Sequence, residues 1–252
     1  MGVSLTTHPR FKHELTFVPR LDLEFAIRDG EPLRFTGEDT PSPCFVGLPR
    51  RALALDSVAY RGHLADLHTD LVQIFWDMQS FAKMLNEIHD TDRIDAMDYT
   101  QHGQSLIYRL LKFSPLGKLQ ELAKEDAEMH LALVAFTVIL LPEYSGQHRR
   151  YDLISDQIQK LTAGSRPDSE VKLRFRLWML VTAAIAATDN ADDEWLLPQL
   201  SSLLHELGLE SWERVHRELR HIIWIPALHD EAGLRLFDTV KHSASGVVRV
   251  QM

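Results

Sequence analysis

Thirteen histidines in a chain of 252 residues make metal binding and general-base catalysis the first chemistries to consider. His63, Asp66 and Asp70 follow the spacing i, i+3 and i+7, which would place them on one strip of a helix. An imidazole and two carboxylates on such a strip could bind a divalent metal ion. A solvated strip beside an apolar face has the same spacing. We expect that structural role, so neither a metal site nor a cofactor is assigned.

A carboxylate and an imidazole one helical turn apart can cooperate in proton transfer, and Asp126 and His130 have this spacing. Exposed pairs on helix surfaces commonly have it too, and that is the arrangement we expect here. Glu121, Glu125 and Glu128 lie in the same stretch and predict an acidic face in contact with solvent. No catalytic residue is therefore assigned in this segment.

Two further histidine patterns were weighed. His216 and His221 are five residues apart, about 140° around a helix, unlike the i, i+4 pair that shares a face in zinc proteases. Two His-Asp dipeptides are similar to the motif of the metal-dependent HD phosphohydrolases, which are also all-α. The two dipeptides are His89-Asp90 and His229-Asp230, and the upstream histidine of the motif would be His63 or His68. A chain rich in histidine and aspartate contains such dipeptides by chance, so this interpretation is not adopted.

Other catalytic motifs are absent from the sequence. It contains no Gly-rich phosphate loop and no Gly-x-Ser-x-Gly nucleophile turn. Cys44 has no basic neighbour that would activate its thiol. The arginine pairs at 50–51 and 149–150 are short and are interpreted as solvated turns. The sequence thus favours a protein that is not an enzyme without deciding the question, and the ligand-binding residues remain unknown.

Charge and cysteine content exclude some classes of function. There are 27 basic and 36 acidic residues, which gives a net charge of -9, so on charge alone we expect no direct nucleic-acid binding by this chain. A single cysteine excludes an intrachain disulfide and a cysteine-cluster zinc site, and it favours a nuclear or cytoplasmic location. The longest nearly unbroken apolar run, 131–141, is too short to cross a bilayer, so we expect no membrane contact.

The chain divides into three parts by composition. Residues 1–58 contain six of the eleven prolines, which predicts an irregular lead-in with short extended pieces such as 15–18. Residues 59–242 have the apolar periodicity of helices. Residues 243–252 form a tail, predicted to be a short strand or disordered. The predicted fold class is all-α, a multi-helix bundle of about eight helices behind a Pro-rich N-terminal segment.

Helix boundaries follow from periodicity and from residues that interrupt helices. Apolar residues recur at steps of three and four from Leu64 to Ile88, which predicts one long amphipathic helix of about seven turns. Gly208 is a C-terminal cap and Ser211 an N-cap, whereas Pro226 is expected to end a helix. The remaining predicted helices span about 97–113, 117–141, 147–162, 170–188, 193–207, 212–224 and 229–241.

Residues 174–240 contain tryptophans, a helix of small residues and a Gly-Leu-x-Ser-Trp turn in a characteristic order. The pattern comprises 176–180, 183–187, Trp195, Leu203, Leu204, 207–209, 211–215, Ile223, Trp224, Leu228, Leu236 and Phe237. It resembles the fungal-specific transcription factor domain, which follows a DNA-binding zinc cluster in many fungal regulators. That cluster uses six cysteines and this chain has one, so the resemblance implies a regulatory domain without DNA-contacting residues of its own.

The four tryptophans of this pattern are expected to lie in the core, because each buries a large area on a helix face. They are Trp178, Trp195, Trp212 and Trp224. The less favoured alternative is that one of them lines a ligand pocket.

Two functions remain open. The resemblance implies a transcription-regulating domain that binds a small-molecule effector or a protein partner and can form a homodimer. The alternative is a helical bundle reused in specialised (secondary) metabolism as a small-molecule binder or as a cofactor-independent catalyst acting on a hydrophobic metabolite.

Overall fold

The computed structural model describes residues 22–34, 58–87, 96–141, 151–164, 166–187 and 193–248. All regular structure within these ranges is helical, and the predicted all-α class is confirmed. The helices are α1 (22–29), α2 (Val58–Ala65), α3 (Thr69–Glu87), α4 (Ala96–Phe113), a 3-10 helix (Leu116–Glu121), α5 (Lys124–Leu140), α6 (Asp152–Thr162), α7 (Glu170–Ala187), α8 (Asp193–Glu206), α9 (Trp212–Ile222) and α10 (Pro226–Val248).

Helices α5 and α7 form the centre of the bundle. Their sequences are apolar around most of the helix circumference, which is typical of helices that other helices enclose. Every residue of α5 from Met129 onward is buried, and so is every residue of α7 from Phe175 to Ala183. Around this pair, α3, α4 and α6 pack mainly on the α5 side, whereas α8, α9 and α10 pack on α7.

The two central helices run parallel to each other. Lys172 of α7 contacts Glu125 of α5, and one turn later Arg176 contacts Glu128. Because both contacts advance in the same direction along the two helices, the N-terminal ends of α5 and α7 lie at the same end of the bundle.

The single long helix predicted from Leu64 to Ile88 is wrong, because α2 ends at Ala65 and α3 begins at Thr69. The backbone N–H of His68 donates to Oδ1 of Asp126 at 2.8 Å instead of to a carbonyl within a continuous helix. Nδ1 of His68 then accepts from the N–H of Asp70 at 3.3 Å, and this helps to start α3. The apolar spacing continues across the break, so periodicity alone could not reveal it.

Proline also begins a helix that we expected to start later. Pro226 is the first residue of α10, a position where its missing N–H has no helical acceptor to lose. The helix continues to Val248, so the predicted start of the tail at residue 243 is also wrong. Similarly, 116–121 forms a 3-10 helix that precedes α5, where we expected one helix over 117–141.

Part of the N-terminal lead-in is folded. Helix α1 places Leu23 and Ile27 in the same core as the bundle, which contradicts the prediction of an irregular segment at 22–29. Gly30 has a φ of 73° and its carbonyl accepts the N–H of Gly117 at 3.1 Å. A Cβ on Gly30 would lie 2.9 Å from that nitrogen, so the close contact requires glycine.

The remaining helix boundaries agree with the predictions to within a few residues at α4, α6, α7, α8 and α9. None of the helices in the described ranges is long and apolar enough to cross a membrane. The extended piece predicted at 15–18 and Ile88, the last residue of the predicted long helix, lie outside the described residues.

Candidate functional site

A cleft of about 120 Å³ opens at the end of the bundle where α5 and α7 begin. Helix α2 and the 166–168 segment before α7 complete its walls. The lining residues are His63, Lys124, Glu125, Glu128, Met129, Ala132, Arg166, Pro167, Asp168, Lys172, Phe175, Arg176, Trp178 and Met179.

The floor of the cleft is apolar and consists of buried side chains from the two central helices. Met129 and Ala132 come from α5, and Phe175, Trp178 and Met179 come from α7. The Phe175 and Trp178 rings meet edge to face at a centroid distance of 6.4 Å. Nε1 of Trp178 donates to the Ile223 carbonyl at 2.8 Å, which fixes the indole and leaves only its apolar surface for the cleft.

The most buried ion pair of the cleft joins Arg176 and Glu128. The guanidinium Nη2 donates to Oε1 of Glu128 at 2.6 Å, and the two side chains are 5% and 22% exposed. Burial raises the pKa of Glu128, while the charges of Arg176 and Lys124 oppose that rise. A charged pair this far from solvent gives little net stability, so its position beside a cleft suggests a role in binding.

Lys172 lies nearer the mouth. Its Nζ is 3.1 Å from Oδ2 of Asp168 and 3.5 Å from Oε1 of Glu125. The hydrogen bond to Asp168 is the largest cause of a raised pKa for Lys172, so the amine stays protonated. The rim thus presents a cation that two exposed carboxylates share.

His63 of α2 also lines the cleft. Its ring is half-buried and lies 4.7 Å from the ring of Phe175. Burial lowers the pKa of His63, and the charge of Lys172 lowers it further, so the imidazole is neutral near pH 7. A neutral imidazole beside an apolar floor can accept a proton or a hydrogen bond.

A larger and more open groove lies behind the 166–168 segment, between α6, α7 and α8, and has a volume of about 860 Å³. Arg166, Pro167 and Arg176 line both the groove and the cleft. Nη2 of Arg166 donates to Oε1 of Glu206 at 2.6 Å, an ion pair that connects this segment to α8.

The structure separates the metal ligands considered above. His63 lies in α2, Asp66 follows the end of that helix, and Asp70 belongs to α3, so the three do not share one helical strip. Throughout the described ranges, no group of three or more histidine, cysteine, aspartate or glutamate side chains is placed to hold a metal ion.

Asp126 and His130 do not interact as a surface pair. His130 is fully buried and its Nε2 lies 2.8 Å from the Leu110 carbonyl, whereas Asp126 accepts the N–H of His68. Burial lowers the pKa of His130 to about 4. The predicted acidic face is also only partly solvated, because Glu121 and Glu125 are exposed but Glu128 is not.

The other histidine patterns fall into structural roles. His216 lies 3.1 Å from Oδ1 of Asp230, and His221 lies near Glu218 at the ion-pair limit of 4.0 Å. His229 is buried against α5. Cys44, the dipeptide His89-Asp90 and the arginine pairs at 50–51 and 149–150 lie outside the described residues.

The tryptophan prediction is confirmed for two residues and partly for the others. Trp178 and Trp224 are almost fully buried, and Trp195 and Trp212 are half-buried against the core. Trp178 also lines the cleft, so the core and pocket roles coincide in one side chain.

Sequence reasoning missed Arg176, Lys172 and the role of Glu128. A signal was present, because Arg176 is the one charged residue in the apolar stretch 175–183 of α7. Such a residue requires a buried partner, but the spacing within α7 cannot indicate that the partner lies on α5.

In comparisons with protein-family models, curated proteins and solved structures, the chain gave no match. The resemblance to the fungal-specific transcription factor domain therefore stays a prediction.

Proposed function

We propose that this chain is a regulatory domain that binds a small-molecule effector in the cleft between α2, α5 and α7. The observation that carries the proposal is a cleft in which charged side chains converge above an apolar floor, because small-molecule sites combine an apolar surface with convergent polar groups. Because α5 and α7 contact most of the other helices, occupancy at their shared end can alter the packing of the whole bundle.

The resemblance described above supports the regulatory part of this proposal. In that family the domain receives signals and contacts partners, while a separate zinc cluster binds DNA. The present chain has one cysteine in 252 residues, so its proposed role in transcription is carried out through an effector or a protein partner in the nucleus.

A reporter assay tests the regulatory role. The whole chain is fused to an unrelated DNA-binding domain, and transcription of a reporter with the matching site is measured in a fungal host. We expect the fusion to change reporter output relative to the DNA-binding domain alone. We also expect Lys172→Met to alter that change, whereas the exposed Lys160→Met on α6 leaves it intact. Output equal to that of the DNA-binding domain alone would contradict the proposal.

A second candidate is a cofactor-independent catalyst of specialised metabolism. It is favoured by His63 and Glu128, whose pKa values burial shifts in directions that leave a neutral base and a more readily protonated acid around one cleft. Such a pair could move a proton on a hydrophobic metabolite.

Purified protein incubated with a fungal metabolite extract tests this second candidate by mass spectrometry. Catalysis would be supported if the wild type converts a component of the extract, the variant His63→Gln does not, and the variant His242→Gln, at an exposed position of α10, still does. An extract of unchanged composition would exclude turnover of the metabolites it contains.

A further inference from the structure

We infer that the cleft binds a small amphipathic carboxylate, with its apolar body on the floor and its carboxylate at Lys172 and Arg176. This inference rests on the proposed function, because it takes the cleft to be a ligand site, and it adds the chemical class of the ligand. Its support comes from size, charge, the geometry of the cations and the chemistry of the floor.

The volume limits the size of the ligand. On the volume scale used for the cleft, one water molecule needs about 10–15 Å³. At about 120 Å³, the cleft has room for a body of on the order of ten non-hydrogen atoms. That is the size of a short aliphatic or single-ring acid and is far below that of a nucleotide cofactor or a peptide.

The lining of the cleft is far less acidic than the chain as a whole. Its lining contains four cations and three carboxylates, which gives 4 − 3 = +1, whereas the whole chain has a net charge of -9. The cations are Lys124, Arg166, Lys172 and Arg176, and the carboxylates are Glu125, Glu128 and Asp168. One of these cations, Arg166, is already paired with Glu206 outside the lining, so the cleft is close to neutral. In a protein with a large negative charge, such a region repels an anion least. The three carboxylates would repel a dianion such as a phosphate monoester, so a monoanion fits best.

Two of the cations are placed to hold a carboxylate. Lys172 shares its charge between two partners at 3.1 and 3.5 Å, and its side chain is 31% exposed. Ion pairs at this exposure are weak and exchange readily, so a ligand carboxylate can replace Glu125. Arg176 lies one turn deeper and adds a planar guanidinium, the group best suited to carboxylates.

Glu128 can adjust to an incoming anion. Burial already raises its pKa, and a second carboxylate beside Arg176 would raise that pKa further. Binding of the anion is therefore expected to be accompanied by proton uptake, which keeps the charge of the cleft balanced. The N-terminal ends of α5 and α7, both located here, add a favourable dipole contribution.

The floor suits an apolar body of variable shape. Met129 and Met179 are flexible and polarisable, and Phe175 and Trp178 present ring surfaces. The indole N–H of Trp178 is already bonded to Ile223, so the floor offers no donor to a polar body. A hydrophilic acid would leave its hydroxyl groups unpaired there.

Calorimetric titration with three probes that share one body tests the class of ligand. The probes are 4-phenylbutyrate, 4-phenylbutan-1-ol and 4-phenylbutylamine, whose head groups are an anion, a neutral hydroxyl and a cation. We expect the carboxylate to bind about tenfold or more tightly than the other two. Titration in buffers of different ionisation enthalpy should show proton uptake with the carboxylate alone.

Two variants place the probe in the cleft. Lys172→Met should weaken 4-phenylbutyrate binding about tenfold, and the exposed Lys160→Met on α6 should leave it unchanged. Lys172→Arg keeps the charge and should bind within a few-fold of the wild type. Circular dichroism confirms that each variant is folded. Equal loss in Lys160→Met, or no loss in Lys172→Met, overturns the inference.

The outcomes separate this inference from the proposed function. Binding of the alcohol or the amine as tightly as the acid overturns the carboxylate class, and so does the absence of binding by all three. Either result leaves the regulatory role to the reporter assay, whose readout does not depend on these probes. Selective acid binding together with an inactive reporter fusion would support the ligand class and reject the regulatory role.

Discussion

The α5–α7 pair has a charged cleft where the two helices begin, whereas farther along the same helices neutral rings fill a sealed interior. At the cleft, Arg176 and Glu128 form a largely buried ion pair in which Glu128 stays 22% exposed. In the sealed region, the ring of His229 stacks on Phe136 with centroids 4.9 Å apart and lies 4.7 Å from the ring of Trp224. The polar group there is an imidazole that burial keeps neutral.

His229 illustrates the conditions in the sealed region. It is fully buried, and its Nδ1 lies 2.8 Å from the Ile225 carbonyl oxygen and 3.3 Å from the Ile225 backbone nitrogen. Within the described part of the chain, Nε2 has no hydrogen-bond partner. Burial lowers the pKa of His229 to about 4. A charged imidazole would lose its hydration among these rings, so burial favours the neutral form of His229.

The comparison indicates that the two regions have different tasks. Aromatic packing in the sealed region contributes stability, and the charged cleft gives up some stability for access to solvent and a ligand. A pair of charges at the cleft is tolerated because one side remains open. Three predictions test this difference.

The largest expected effect comes from truncating matched aromatic residues in the two regions. Phe136→Ala should destabilise the protein by about 4 kcal/mol, because it leaves an apolar cavity enclosed on all sides. Phe175→Ala should be less damaging, at about 2–3 kcal/mol, because the space it leaves joins the cleft and can fill with water. Chemical denaturation measures both free energies of unfolding. Equal losses would show that the cleft is closed to water in solution.

The second effect is a dependence of stability on pH. The pKa of His229 is about 4 in the folded chain and 6.5 in its ordinary state, so the unfolded chain binds the proton first as the pH falls. Stability should therefore be complete above about pH 6.5 and fall by about 3 kcal/mol as the pH approaches 4. His130 has a pKa of about 4 as well and should add a similar amount.

The variant His229→Phe isolates one of these contributions. The Ile225 carbonyl keeps the backbone N–H of residue 229 as its donor. The Ile225 N–H loses its 3.3 Å contact with Nδ1 of His229, a cost that does not depend on pH, so the slope with pH is the informative quantity. The free energy of unfolding of this variant should fall less steeply between pH 6.5 and 4 than that of the wild type. His242→Gln, at an exposed position, should keep the wild-type slope. An unchanged slope in His229→Phe would mean that His229 titrates normally.

The smallest of the three effects concerns the buried ion pair of the cleft. Arg176→Met should destabilise the protein by about 2 kcal/mol, because it leaves the carboxylate of Glu128 without its closest cation. The double variant Arg176→Met with Glu128→Gln should recover most of that loss. Thermal and urea unfolding would provide the comparison. A double variant no more stable than Arg176→Met would show that Glu128 is neutral in the wild type.

The sequence predicted most of the fold because burial in a helical bundle has a clear period. The helix predicted over 117–141 was confirmed from residue 124 to residue 140, and Trp178 and Trp224 were confirmed as core residues. The break at 66–68 was missed, because it depends on a hydrogen bond from His68 to Asp126, 58 residues away. Helix α1 was missed because the prolines around it obscured its short apolar face.

The cleft was predictable to a much smaller extent. Its charged residues come from α5 and α7, and no local spacing joins Glu128 to Arg176. His63 was singled out, but for a metal strip that the end of α2 disrupts. The high number of histidines indicated possible catalysis, but side chains such as His130 are buried and have structural roles. Only the packed bundle shows that α5 and α7 run in the same direction, which places the charged residues of both helices at one cleft.

The contact between Gly30 and Gly117 has a practical consequence for where the chain can be divided. Because residues 1–58 are rich in proline, residue 58 is an attractive starting point for a shorter version of the protein. Such a version would lack the whole 22–34 segment and would uncover apolar side chains that this segment covers, including Leu153, which lies beside Gly30. The segment 22–34 and the bundle are therefore one cooperative unit, and a domain boundary near residue 58 would pass through its core.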